Sequence, residues 1–341
     1  MIKKLSIKDI ANHLNVSTTT VSFILNGKAK EKRITDEMVK KVLAFVEKVG
    51  YKPNSLAKSL RTGKSNIIGL LVENIANPFF ATIAREIEEI AFENGYKIIY
   101  SSTDDDTEKT KNLLTIFNDR HVDGYIISPP VGIEEELSAL INSGKPVVLF
   151  DRFLPGLNNV DYVGVNGAES IYEGVKHLRV NGYKNIAFIT TDSLQTQMND
   201  RLNGYEKAIK ELGYKKNIKK IAFNQCNENI VKDIATFLRK NKTLDAVIFA
   251  TNYLGINGLK AIRILDLKIP DNLAVLVFDE NDIFELHTPG ITTIAQPIHA
   301  ISKKIISILL NKMMPSVNSK LNESTVLQNN LIIRNSTYPI N

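Results

Sequence analysis

Several apolar segments of this chain end in side chains suited to holding hydroxyl groups. Asp151 and Arg152 follow Val147–Phe150, and Asp279-Glu280 follows Ala274–Phe278. Asn252 comes directly after the segment 246–251, Thr190-Thr191-Asp192 follows Ile189, and Glu73-Asn74 follows Ile67–Val72. Arg201 stands in Arg-Leu-Asn-Gly-Tyr205, which reads as the opening of a helix. Carboxylates accept hydrogen bonds, a guanidinium donates a fork to two adjacent hydroxyls, and an amide does both. Facing one cleft, these groups make a cage for a small hydroxylated molecule, with Phe79 and Phe80 placed to cover an apolar ring face. A single charged residue at a strand end is ordinarily a surface ion pair or a cap. Four together, Asp151, Arg201, Asn252 and Asp279, favour contact with a ligand.

Other chemistries lack their residues. His13, His121, His177, His287 and His299 show no metal-ligand spacing, so no metal site is expected. Cys226 has no CxxC partner and no nearby His pattern, which argues against a nucleophile. Asp104-Asp105-Asp106 lacks the Gly and closing Glu of a calcium loop, and it reads as the cap of a helix starting near Thr107. No GxGxxG follows the first strand, whose exit is Glu73-Asn-Ile-Ala-Asn77. No nucleophile–base–acid set is visible, so neither catalytic residues nor a cofactor are expected.

The elements that must position the cage are readable from Ile67 onward. Strand segments Ile67–Val72, Lys97–Ser101, Gly124–Ser128 and Val147–Phe150 alternate with helical periods. A second set begins after Val163, with Ile186–Thr190, Lys220–Phe223, Ala246–Ala250 and Ala274–Phe278. Such alternation means parallel sheets with helices on both faces, and two sets of four predict two lobes. Final strand signals, Ile291–Ile294 and Val326–Ile333, flank a helix from about Pro297 to Leu310. Ligands of open parallel sheets bind beyond the carboxyl ends of the strands, where the cage residues fall. No internal repeat is visible in the sequence.

The first 65 residues are of another kind. Ser6 is placed to cap a short helix with Asp9 as its capping-box partner, and Ile7, Ile10, Ala11 and Leu14 share one face. Asn15-Val16 makes a turn. Ser17 caps a second helix with Val21, Ile24 and Leu25 on its buried face, ended by Asn26-Gly27. This is a helix-turn-helix, whose second helix enters the major groove of DNA. Thr35 to Val49 reads as a third helix presenting Val39, Val42, Leu43 and Val46 to the first two. Residues 54–61 are predicted helical only when something packs on them, because isolated helices shorter than ~12 residues are marginal in water. Residues 1–65 hold 14 Lys and Arg against 5 Asp and Glu, while residues 66–341 hold 29 against 32. A polycationic head on a weakly acidic body fits a DNA binder, since phosphate contacts supply much of the affinity. The loop Lys28–Arg33 reads as a phosphate contact or as a plain solvated loop.

Size and composition agree. A chain of 341 residues with 43% hydrophobic residues suggests about two or three domains with ample core. One cysteine excludes an intramolecular disulfide and fits a reducing compartment. There is no run of about 18 apolar residues and no signal-peptide pattern behind Met1-Ile-Lys-Lys, so no membrane association and a cytoplasmic location are expected.

Taken in order, Val16-Ser-Thr-Thr-Thr-Val-Ser22, Gly50-Tyr-Lys-Pro-Asn-Ser-Leu-Ala57, Ile68-Gly-Leu70, Val122-Asp-Gly124, Phe278-Asp279, Thr292-Thr-Ile-Ala-Gln-Pro297 and Leu331-Ile-Ile-Arg334 resemble the lactose-repressor (LacI/GalR) family of transcription regulators over essentially the whole length. The resemblance implies an all-α helix-turn-helix head at 1–50, a hinge helix and linker at 51–65, and an α/β two-lobed periplasmic-binding-protein-like body at 66–341. The first lobe would hold about 66–163 plus 293–325, and the second about 164–292 plus 326–341. It further implies a homodimer on a pseudo-palindromic double-stranded operator, with half-site centres about 34 Å apart. The DNA surface would comprise Ser17, Thr18, Thr19, Thr20, Ser22, Phe23, Asn26, Asn54, Ala57 and Leu60. Thr18, Thr19 and Phe23 would read base edges, and Ala57 and Leu60 would enter the minor groove, with Leu60 as the wedge. Phe23 departs from the family's usual Arg or His. A phenyl ring cannot pair with guanine but can lie on a thymine methyl, which predicts T·A where relatives read G. The other reading is that Phe23 packs within the head.

By the same resemblance Asp151, Arg201, Asn252 and Asp279 would contact a small-molecule effector between the lobes, a sugar or sugar derivative, which switches DNA affinity, and Phe79 and Phe80 are the aromatics expected to cover it. Purine-responsive relatives carry an Arg and an aromatic where this chain has Gln195 and Gln225, which favours a sugar. A purine or other metabolite is the alternative effector. A sugar-binding transport protein and a Rossmann-type enzyme are the competing classes. The tail after Pro315 has no leucine heptads, so no tetramer is expected beyond a dimer formed mainly through the body.

Overall fold

The computed structural model describes residues 5–51, 63–223, 225–314 and 322–339. Asn54, Ala57, Leu60 and the rest of the expected hinge helix, together with the first residues of the polar tail, lie outside the described residues. Contacts divide the chain into two compact units, Met1–Ser65 and Asn66–Asn341.

The first unit contains α1 (Ile7–Leu14), α2 (Thr18–Leu25) and α3 (Asp36–Lys48). At α1 both halves of the capping box form: the Ser6 hydroxyl accepts from the Asp9 amide, and the Asp9 carboxylate accepts from the Ser6 amide. Asn15 ends the helix in the left-handed region at φ 57°, a conformation in which Asn is enriched among non-glycine residues. Ser17 caps α2 by accepting from the Thr20 amide. Ile10, Ala11, Leu14, Val21, Ile24 and Val42 close a small core. Leu43 departs from expectation: it is exposed, and Phe45 packs on the core in its place, its ring stacked 4.2 Å from that of His13. Helical spacing alone put Leu43 at the edge of the apolar stripe, and the crossing of α3 over α1 and α2 decided which edge is covered.

The second unit has two sheets. The first comprises β1 (Ile67–Val72), β2 (Lys97–Ser102), β3 (Gly124–Ile127), β4 (Val147–Phe150), β5 (Asp161–Val165) and β11 (Ser324–Leu327), in the order β11-β5-β4-β3-β1-β2. All its pairings are parallel. The second comprises β6 (Ile186–Asp192), β7 (Asn217–Ala222), β8 (Ala246–Phe249), β9 (Ala274–Phe278), β10 (Thr292–Ala295) and β12 (Asn330–Ile332), in the order β12-β10-β9-β8-β6-β7. Only β12 runs antiparallel to its neighbour β10. Helices α4 (Pro78–Glu93) and α12 (Ile298–Met313) cover one face of the first sheet, and α5 (Thr107–Asp119) and α6 (Glu134–Asn142) the other. In the second lobe α7 (Gly167–Val180) and α8 (Thr196–Glu211) pack on one face, and α9 (Asn227–Lys240), α10 (Asn252–Ile264) and α11 (Asp282–Leu286) on the other. Central strands such as β3, β4, β8 and β9 are buried at every position, which is why they read as unbroken apolar runs.

The second set of strands begins after Val163 as expected, with β6, but β5, which the sequence did not signal, spans that residue and belongs to the first sheet. Two expectations change. The expected final strand Val326–Ile333 is two strands in two different sheets, parted at Gln328-Asn329. Periodicity cannot detect a two-residue crossover inside one extended segment. And β10 lies in the second sheet, so the chain returns to the first lobe after Ala295, slightly later than expected.

The two sheets also repeat each other: β4 in the first occupies the place of β9 in the second, and β5 that of β10. The repeat is invisible in the sequence, because buried parallel strands tolerate any apolar residue of suitable volume. Gly204 is required by close approach to a neighbouring backbone. A Cβ on Gly204 of α8 would come 2.0 Å from the Ala168 carbonyl oxygen of α7.

Candidate functional site

The structural repeat places Asp151 after β4 and Asp279 after β9, at equivalent ends of the two sheets. Both adopt left-handed backbone conformations, φ 66° and 76°. Each is fixed by the neighbouring strand: the Asp151 amide donates to Val163 O (3.2 Å) and the Asp279 amide to Ile294 O (2.9 Å). Positive φ at two buried non-glycine residues is local strain of a kind that clusters at binding sites.

Asp151, Asp279 and Arg201 line one cavity of about 40 Å³, together with Phe79 and Phe80. Glu73, Arg152, Gln195 and Gln197 add to its polar wall, with Asn77, Thr191, Thr251 and Gln296, and Met198, Phe223 and Tyr253 contribute apolar surface. Helix α8 begins at Thr196, so Arg201 sits in its second turn and does not open it. The Arg201 side chain is buried; its Nη1 donates to Ala250 O at 2.7 Å, and its guanidinium lies 3.7 Å above the Phe278 ring. Phe79 and Phe80 follow the N-cap Asn77 of α4 and contact each other edge to face, and Phe80 continues to Phe150 in the core of the first lobe. Asn252 is not on the cavity wall. Its Nδ2 donates to Asn77 Oδ1 at 3.0 Å, joining α10 of the second lobe to the start of α4 in the first.

Arg152 is the electrostatic centre of the cleft. Its side chain is 3% exposed and ion-paired with Glu73, with Asp105 (2.5 Å) and with Asp151 (3.4 Å). Burial works against its charge, but the three carboxylates outweigh that and hold its pKa above the ordinary value. Burial pushes the Asp151 and Asp105 carboxyls up, with Arg152 opposing the rise in both; the negative charge of Asp279 adds to it at Asp151.

Several bonds cross from lobe to lobe. Gln195 Nε2 donates to Asp105 (2.8 Å) and Glu73 (3.3 Å), and Gln197 Nε2 donates to Asp151 (3.3 Å). The Thr196 hydroxyl accepts from the Phe153 amide and donates to its carbonyl, both at 3.2 Å. Gln296, in the crossover after β10, donates to Asp279 at 2.7 Å. A ligand that alters these contacts alters the lobe-to-lobe geometry.

Sequence reasoning set Arg152 beside Asp151 without giving it a role, and it passed over Asp105, Gln197, Tyr253 and Gln296. Gln197 carried a signal, since it stands four residues before Arg201 on the same helix face. Asp105 carried none: it reaches the cleft because the turn after β2 puts Asp104 and Asp105 in left-handed conformations, while Asp106 caps α5 as expected. Gln225 is not on the cavity wall but reaches Asp233 at 3.3 Å, and Phe223 provides an aromatic wall nearby. The absence of an aromatic at position 225 therefore no longer argues against a planar ligand. Thr190, Thr191 and Asp192 are inside β6 and not beyond it; Asp192 is exposed, 3.7 Å from Lys220.

In the head, Ser17, Thr18, Thr19 and Asn26 are exposed, and Thr20 and Ser22 are half-buried. Ser17 and Thr20 also share a hydroxyl hydrogen bond (2.8 Å), and Asn26 Nδ2 folds back on Ser22 O (2.6 Å). Phe23 is half-buried and is not among the residues that close the head core; the Lys32 ammonium lies 5.5 Å from its ring centroid. Among the described residues no group of His, Cys, Asp and Glu could hold a metal ion, and no helix is long and apolar enough to cross a membrane.

Comparison with known proteins agrees with both units. Residues 6–54 match the profile of "Bacterial regulatory proteins, lacI family", and residues 175–337 match the periplasmic binding protein-like domain. The chain is 30% identical over 99% of its length, and 99% of the other's, to the HTH-type transcriptional regulator DegA of Bacillus subtilis (strain 168). Among solved structures, the lac repressor dimer bound to operator and the anti-inducer ONPF is similar with TM-score 0.85 and 19% identity, covering 98% of this chain and 100% of that one. A LacI family regulator from Enterococcus faecium with bound ribose is similar with TM-score 0.71 and 24% identity, covering 81% and 100%.

Proposed function

The chain belongs to the lacI family of bacterial transcription regulators, and on that premise we propose that it is a repressor whose grip on DNA is set by a small molecule in the cleft. A homodimer binds a pseudo-palindromic operator. In each head α2 enters the major groove with Thr18, Thr19 and Phe23 toward base edges, supported by Ser17, Thr20, Ser22 and Asn26. The segment containing Asn54, Ala57 and Leu60 lies over the minor groove at the operator centre. The effector is a sugar or sugar derivative, held by Asp151, Arg201 and Asp279 and covered by Phe79 and Phe80, with Asn252 joining the lobes at the rim.

The observation that carries the effector reading is the cavity shared by Asp151, Asp279 and Arg201, three buried ionisable groups from separate elements meeting in one small space. The bound ribose of the Enterococcus faecium relative supports a sugar. Coupling between the sites is expected at ~1–3 kcal/mol, a shift of about 5- to 150-fold in operator affinity. A gel shift on the chain's own upstream DNA, with and without a sugar panel, tests the proposal. Retardation that one sugar changes at least fivefold is the expected result; no retardation, or retardation indifferent to every ligand that stabilises the protein, refutes it.

A further inference from the structure

Glu73, Asp151 and Asp279 line the cleft, and Asp105 stands behind Arg152; the cations on the wall are Arg152 and Arg201. No Lys or His is among the lining residues. Arg152 is already engaged by three carboxylates, and Arg201 directs Nη1 to a backbone carbonyl. Negative charge is therefore in excess. Neutral residues stand at the N-caps of the helices that start at the cleft, Asn77 on α4, Gln195 on α8 and Thr251 on α10, so the positive charge there is the partial charge of the helix N-termini, less than the carboxylate excess.

The excess is focused on Asp151. Its side chain is 6% exposed, yet its contacts among the described residues are long: Ser128 Oγ and Arg152 Nε at 3.4 Å, Gln197 Nε2 at 3.3 Å. Charge-assisted bonds from a cationic nitrogen to a carboxylate run about 2.7–2.9 Å. Three further polar atoms of the wall are buried without a partner, Thr191 Oγ1, Gln197 Oε1 and Arg201 Nε. A buried donor or acceptor left unmade is costly, so a ligand that supplies the missing bonds gains by it. The carboxylates are not grouped as metal ligands.

We propose that the cleft takes a polyhydroxylated molecule bearing a protonated primary amine, an amino sugar by chemical class, with its ammonium on Asp151 and hydroxyls on Thr191 and Arg201 Nε. This rests on the reading of the cleft as the effector site. A hydroxyl alone supplies the short bond but leaves the charge excess; an ammonium supplies both. Phosphate or carboxylate groups bring like charge into a low-dielectric site and are rejected. Burial is the first cause that raises the Asp151 carboxyl pKa; Arg152 and Arg201 oppose the rise and Asp279 adds to it.

The test is calorimetric titration of the full-length protein with glucosamine, galactosamine and mannosamine, each beside its parent hexose, its N-acetyl form and its 6-phosphate. At least one free amine is expected to bind tenfold or more tightly than its parent and its N-acetyl form, and Asp151→Asn is expected to abolish that preference. A neutral or phosphorylated member binding as tightly as the amines overturns the proposal, as does a panel in which nothing binds. Arg201→Ala separates the two readings. A neutral sugar whose binding is lost in that variant overturns the amine while leaving the cleft reading standing, whereas binding that survives it overturns the cleft reading itself.

Discussion

Replacing Arg152 by Met should destabilise the body strongly, and the loss should depend on pH. The guanidinium is buried and ion-paired with Glu73, Asp105 and Asp151. Met keeps much of the volume and removes the charge, leaving the carboxylates to repel one another with little water to screen them. Removing one partner of a buried pair costs about 3–5 kcal/mol. At about 2 °C per kcal/mol for a body of this size, the midpoint should fall by roughly 6–10 °C at pH 7.5. Asp105 and Asp151 already have folded-state pKa values above their ordinary ones, with burial the first cause and Arg152 the opposing one. Without Arg152 they rise further. A carboxyl whose folded pKa is raised binds its proton more tightly folded than unfolded, so its penalty is full above the folded pKa and is relieved as pH falls through it. The gap between variant and wild type should therefore narrow from pH 7.5 to pH 5. Calorimetry at several pH values measures this. Glu73→Gln in the Arg152→Met background should recover part of the loss, with a coupling above about 1 kcal/mol, because the two side chains touch. A midpoint shift under 2 °C, or one independent of pH, would refute the claim that Arg152 organises the cleft by charge.

Gly204→Ala should cost at least 1–3 kcal/mol, since its methyl would meet the Ala168 carbonyl and push α7 from α8; urea unfolding reads it, and a wild-type midpoint would show that the helices separate freely. Ser6→Ala removes the α1 cap and should destabilise the head by about 0.5–2 kcal/mol, seen as weaker operator binding with an unchanged sequence preference; an altered preference would mean Ser6 acts on the DNA surface directly. Phe23→Arg should move the outer half-site preference from T·A toward G in operator selection, and an invariant G already present with Phe23 would sink the thymine-methyl reading. Gln197→Ala should leave stability within about 0.5 kcal/mol, as for a half-buried residue with two long bonds, while weakening effector binding in titration; unchanged affinity would remove Gln197 from the site.

The head was legible almost residue by residue. Ser6, Asp9, Asn15 and Ser17 act on the backbone within three or four positions, so their roles are written in local order. The strands were legible as apolar runs, because a parallel strand buried on both faces has no polar face to hide it. Asp151 and Asp279 were found for a related reason: each directly follows such a run. Leu43, β5 and the split of Val326–Ile333 between two sheets were not legible, since each depends on which neighbour an element finds.

The chain's order of residues determined by itself that a basic helix-turn-helix precedes an α/β body, and which side chains stand at strand ends. Those are matters of local propensity and spacing. Only the tertiary structure decided that Arg152 gathers Glu73 and Asp105 from far along the chain beside its neighbour Asp151, that Asn252 bonds Asn77 instead of facing the cavity, and that Asp151 is left buried with only long bonds. Charge balance inside a cleft is a sum over elements that fold together, and no stretch of sequence contains it.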